Sequence, residues 1–158
     1  MASDCNKMIQ EVFKPIFKAN GFKKNGATWH HVGEELVKVF NIQGSQWSRY
    51  FYFNIGLYLR ELGNDEKPTE FKCHVRFRVE RLLSEEKEIT KLYELLDFEK
   101  EQPIEQRIHQ LEEFISKLVI PWFSKLLTKA DVIKYIESQP KGIMVTKELF
   151  QLMSERSA

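Results

Sequence analysis

Residues 37–59 read VKVFNIQGSQWSRYFYFNIGLYL, and the placement of apolar residues in this stretch decides the fold. Phe51, Phe53, Ile55, Leu57 and Leu59 alternate with Tyr50, Tyr52, Asn54, Gly56 and Tyr58, and a period of two marks a strand with one buried side. Upstream, Leu36, Phe40 and Ile42 share a parity that Lys38 breaks, while Val37, Val39, Asn41 and Gln43 take the other. The pattern predicts two antiparallel strands joined across Gly44, Ser45 and Gln46, with Trp47 beside the turn. A Trp at such a turn either packs over the sheet end or stands out as an anchor for a partner, and packing is the reading adopted here.

Two more strands flank this pair. Thr28, Trp29, His30, His31 and Val32 favour extended backbone and stop at Gly33-Glu34, where Gly at the first central position suits a type II′ hairpin. Phe71, Cys73, Val75, Phe77 and Val79 alternate with Lys72, His74, Arg76, Arg78 and Glu80, which sends Cys73 to the core and His74 outward. Between the third and fourth strands, residues 61–70 are polar and read as a long connection. Four sequential strands make an antiparallel meander, with one face buried and the other open to water or a ligand.

The remainder reads as helix. Met8, Val12, Ile16 and Ala19 recur at helical spacing, with Ser3 or Asp4 to cap the first turn, Pro15 to kink or bound the helix, and Asn20-Gly21 to end it. Residues 21–25 form a short basic link. Ser84 and two glutamates open a helix over about residues 84–97 with Ile89, Leu92, Tyr93 and Leu96 as its apolar stripe. Pro103 starts a longer one carrying Ile104, Ile108, Leu111, Ile115, Leu118 and Trp122, which Pro121 should bend or break near Leu118. Thr128 can cap a helix through Ser138; Gln139, Pro140, Lys141 and Gly142 form a turn; Thr146 can cap a last helix to Glu155. The expected fold is a single α+β domain, a four-stranded antiparallel meander with an N-terminal helix and several C-terminal helices packed on one face.

Bulk properties bound the function. A chain of 158 residues is the size of one domain, and 42% apolar with 30% charged residues is the balance of a soluble globular protein. The absence of a long apolar run and the polar first ten residues give the expectation of no membrane and a cytoplasmic location. Cys5 and Cys73 read as reduced thiols. The formal net charge is +1, but residues 1–50 are basic on balance and residues 84–113 strongly acidic, so no uniform basic coat for nucleic acid exists.

Few residues offer chemistry. His30 and His31 are neighbours on a strand, point to opposite faces and cannot grip one ion together, so neither metal nor cofactor is expected. The phosphate-cradling, nucleophile-elbow and zinc motifs are missing, and no residue is assigned a catalytic role. The open face gathers Asn41 and Gln43 from one strand, Tyr52, Asn54 and Tyr58 from the next, and His74, Arg76 and Arg78 from the fourth. Side chains two apart on a strand stand about 6 to 7 Å from each other, so the last three would form a basic row suited to an anion. With Trp47 these are the candidate ligand- or partner-binding residues.

The stretches GFKKNGATW (residues 21–29), NIQGSQWSRYFYFNIGLYL (41–59) and CHVRFRVERL (73–82), taken in order, resemble the bacterial domain-of-unknown-function family 4304 over about residues 8–127. The resemblance implies a bacterial, cytoplasmic α+β domain with no catalytic residues to carry over, followed by a helical extension over about residues 128–158. The expected function is a non-catalytic binding module that engages a protein partner through the open sheet face, immunity- or antitoxin-like by analogy only. One alternative is a binder of a small anionic ligand or single-stranded nucleic acid, with Tyr52 and Tyr58 stacking and Arg76 and Arg78 holding phosphate. The other is an enzyme with His74 as acid or base beside Arg76.

Overall fold

The computed structural model describes residues 2–139 and 141–157. Helix α1 (Ala2–Ala19) leads into an antiparallel sheet whose strands follow one another in space as in sequence: β1 (Lys23–Asn25), β2 (Thr28–Val32), β3 (Leu36–Gly44), β4 (Phe51–Leu59), β5 (Val75–Arg78) and β6 (Met144–Val145). Helices α2 (Glu86–Leu96), α3 (Ile104–Phe114), α4 (Ile120–Ser124) and α5 (Lys129–Ser138) fall between β5 and β6, and α6 (Lys147–Ser157) follows. The sheet has six strands rather than the expected four. One extra strand is the basic link, which folds back through Gly26 at φ +64° so that Asn25 pairs Thr28. The other comes from the far end of the chain, where Val145 pairs Val75 and Met144 pairs Arg76.

The β3–β4 hairpin pairs Leu36 with Leu59 through to Gly44 with Phe51, so the faces of the two strands are as expected. Its turn is longer than three residues, closed by the Ser45 N–H donating to the Tyr50 carbonyl at 2.8 Å. The β2–β3 connection is not type II′, because Gly33 has no positive φ; its N–H donates to the Leu36 carbonyl across a wider loop. The fourth expected strand is cut to Val75–Arg78, with 3₁₀ turns over Glu70–Lys72 and Val79–Leu82. A side chain ends the ladder: the Leu59 N–H donates to His74 Nδ1 at 2.9 Å instead of to a backbone carbonyl.

One continuous core lies in front of the sheet. Phe13 and Phe17 of α1 meet Trp29, Phe40 and Phe53 edge-on, tilted or stacked, with centroids 4.9 to 6.3 Å apart. The buried stripe of α1 is therefore Ile9, Phe13 and Phe17; Met8, Val12 and Ile16 flank it and Ala19 is exposed. The helix starts ahead of Ser3 and Asp4 and runs through Pro15, with Glu11 and Pro15 both on its exposed side.

At Pro121 the helix widens instead of breaking. Ile115–Val119 form a π turn in which the Ile120 N–H donates to the Ile115 carbonyl, and the wider turn accommodates a ring that would collide with the carbonyl four residues back. The buried stripe becomes Arg107, Leu111, Ile115, Val119 and Phe123, leaving Ile104 exposed. Tyr93 is likewise exposed while Leu92, Leu95 and Leu96 are buried. Thr128 and Asp131 form a reciprocal capping box at the start of α5, and Thr146 precedes α6 as expected. Pro140, expected in the turn after α5, lies outside the described residues.

Candidate functional site

Half of the sheet's back is closed. Residues 61–73 cross it rather than loop into solvent: Pro68 is buried, with its carbonyl 2.7 Å from His30 Nε2, and the Asp65 N–H donates to the Tyr58 hydroxyl. Beneath them Val37, Val39, Tyr58 and Cys73 form a second apolar cluster. Cys73, expected in the main core, is buried here on the opposite side, because the chain joins the sheet only at Val75 and Cys73 lies over Gly56. Burial pushes its thiol far above the usual range, so it is inert.

His74, expected to face outward, is only 7% exposed. Its ring lies 4.5 Å from that of Tyr58, and its Nδ1 accepts the Leu59 N–H, so the neutral ring carries its proton on Nε2. Burial lowers its pKa, with the Glu148 charge acting in the other direction. Arg76 is held by Glu70 at 3.1 Å. The row of three cations is thus reduced to a single exposed one, Arg78. His30 and His31 do face opposite sides, His30 toward Pro68 and His31 toward Phe22, in front of the sheet.

The polar residues of the open half bond to one another. Asn54 Nδ2 donates to Asn41 Oδ1 at 3.1 Å and to Gln43 Oε1 at 3.0 Å, and Asn41 Nδ2 donates to Thr28 Oγ1 at 3.0 Å. This amide ladder stitches β2, β3 and β4 together and uses both donors of Asn54 doing so.

A cavity of about 440 Å³ lies at the hairpin end, lined by Ser48, Tyr50, Tyr52, Arg78, Glu80, Tyr93, Asp97 and Glu99. Tyr50 forms a β-bridge with Asp97, the Phe98 N–H donates to the Arg49 carbonyl at 2.9 Å, and the Arg49 N–H donates to Glu99 Oε1 at 3.0 Å. These bonds fasten the acidic segment after α2 to the start of β4. Arg78 lies over the Tyr52 ring at 3.9 Å, and Tyr50 and Tyr52 have centroids 5.1 Å apart. Burial first, and then the neighbouring Glu80, Tyr93, Tyr52 and Asp97, hold the Tyr50 hydroxyl protonated well above its ordinary range. Tyr93 shifts the same way through burial, the Glu80 charge and a hydrogen bond to Glu80.

The cavity therefore offers hydroxyl donors, aromatic faces and an excess of carboxylate. Of the expected site residues, Tyr52 and Arg78 reach it; Asn41, Gln43 and Asn54 form the ladder, Tyr58 and His74 are buried, and Arg76 is paired. Glu80, Tyr93, Asp97 and Glu99 were not legible as site residues, although the acidic balance of residues 84–113 signalled the charge. Trp47 does not pack over the sheet. It stands 91% exposed at the hairpin tip, next in sequence to Ser48 of the cavity wall.

Fold and cavity together define a small α+β domain built on an antiparallel meander, with a tyrosine- and carboxylate-lined depression at one hairpin end. Over residues 13–125, well over half its length, the chain matches the family described as Domain of unknown function (DUF4304), and it belongs to that family. No curated protein and no solved structure matches it. Among the described residues no helix is long and apolar enough to cross a membrane.

Proposed function

We propose that this chain is a non-catalytic binding module that docks a protein partner at the hairpin end of the sheet, where Trp47 adjoins the tyrosine-lined cavity. The exposure of Trp47 carries the reading: removing a side chain of that size from water on docking contributes roughly 2 to 3 kcal/mol, and tryptophans are over-represented among the residues that dominate interfaces. The reactive groups support it in a second way, since His74, Cys73 and His30 are buried and bonded into the fold. The pairing of Arg76, the neutrality of His74 and the carboxylates of the cavity weigh against an anionic ligand or nucleic acid.

The test uses the full chain and its Trp47→Ala variant as baits in lysate of the source cells. A stoichiometric protein retained by the first should bind at least about tenfold more weakly to the second, with the thermal midpoint unchanged because the removed side chain touches solvent. Equal retention by both baits, or no stoichiometric protein on either, sinks the proposal.

A further inference from the structure

The cavity beside Trp47 has a composition that selects its occupant. Tyr50, Tyr52 and Tyr93 present ring faces and protonated hydroxyls, and Glu80, Asp97 and Glu99 present carboxylates against the single guanidinium of Arg78. Arg78 itself stacks on Tyr52 at 3.9 Å, so one ring of the cavity already accepts a planar cation in this structure. Among the described residues no cation stacks on Tyr50 or Tyr93. Of the carboxylates, Glu99 is engaged by Arg49 at 3.6 Å and Asp97 Oδ1 accepts the Glu99 N–H at 3.0 Å, while Glu80 takes its hydrogen bond from Tyr93. Each retains further acceptor capacity, because an ionised carboxylate has about four lone-pair sites.

We infer that this cavity receives a cationic side chain, an arginine or lysine, presented by the docked protein. The inference rests on the docking reading for what carries the cation. The physical basis is twofold. A cation over tyrosine faces gains about 0.5 to 2 kcal/mol depending on desolvation, and a guanidinium beside a carboxylate makes charge-assisted hydrogen bonds about twice as strong as neutral ones. The volume of about 440 Å³ admits such a side chain, and the exposed Trp47, next in sequence to Ser48 of the wall, is free to pack against the segment that bears it.

The probe is Nα-acetyl-arginine amide, titrated into the full chain and followed by the ring resonances of Tyr50, Tyr52 and Tyr93, with the neutral isostere Nα-acetyl-citrulline amide alongside. Saturable shifts with arginine and none with citrulline are expected. Glu80→Gln and Asp97→Asn should each weaken the arginine titration by about tenfold, the scale of one lost charge-assisted contact. Tyr93→Phe, a conservative change at an exposed ring, gives a second reading should either variant fold poorly. Equal shifts with citrulline, no saturation, or an affinity indifferent to all three substitutions overturns the assignment. The two proposals fail separately: a protein partner lost with Trp47→Ala but kept by Glu80→Gln and Asp97→Asn leaves docking standing and removes the cation.

Discussion

Gly56 shows how tightly the back of the sheet is closed. A Cβ there would lie 2.6 Å from Cys73 Sγ, 2.9 Å from Cys73 Cβ and 3.5 Å from Val39 Cβ. Gly56→Ala should cost about 1 to 3 kcal/mol of unfolding free energy in urea, the usual size of an overpacked site, and adding Cys73→Ala should recover part of it by removing the nearer atom. Strict additivity of the two changes would show that no such contact exists. His74 makes a different prediction. Its folded pKa lies below the unfolded value of about 6.5, so on acidification the unfolded chain takes the proton first. The stability it contributes is complete above that value and falls as pH drops below it, when protonation of Nδ1 removes the acceptor for the Leu59 N–H. His31, lowered by burial and by Lys38, acts in the same direction, so His74→Asn should flatten part of the slope between pH 8 and 5. A slope identical to that of the parent would refute the role. Which residues share a strand was legible from alternation; that His74 turns in to end a ladder was not, because a side-chain acceptor leaves no periodic trace.

At the scale of elements, the last strand and helix do the most that was unforeseen. Residues 144–145 give β5 its outer neighbour, the Thr146 N–H donates to the His74 carbonyl at 2.9 Å, and Leu149 of α6 is fully buried in the main core. This segment lies beyond residues 13–125, where the family match ends. Truncation after Gln139 should therefore lose at least the ~2 kcal/mol of one buried leucine and leave the β5 edge unpaired. Denaturation and size-exclusion chromatography should show a lower midpoint and a shift toward larger species; a truncated chain as stable and as monomeric as the parent would contradict the pairing. The other elements explain why spacing alone misplaces a stripe. In α1 two i, i+4 series run one residue apart, and the series with two phenylalanines is buried because it removes more apolar area from water. In the α3–α4 helix the π turn adds a residue and rotates everything after it, so Val119 and Phe123 are buried where Leu118 and Trp122 were expected.

Over the whole molecule, the sheet separates a front that holds the fold from a back that is half closed by residues 61–73 and half stitched by amides, with the tyrosine- and carboxylate-lined depression at the hairpin end. The acidic segment after α2 reaches that end because Asp97 bridges Tyr50 and Glu99 holds Arg49, contacts between residues about fifty positions apart. By itself the sequence determined the α+β class, the faces of β3 and β4 and the helices, which follow from local periodicity and capping, and the basic and acidic stretches, which follow from composition. Only the tertiary structure decided that a polar connection covers the sheet, that the chain's far end supplies a strand, that His74 and Cys73 lie inside, and that tyrosines and carboxylates meet beside an exposed Trp47. Those outcomes depend on long-range pairing, where backbone hydrogen bonds and close approach at Gly56 select among arrangements that the local pattern leaves equal.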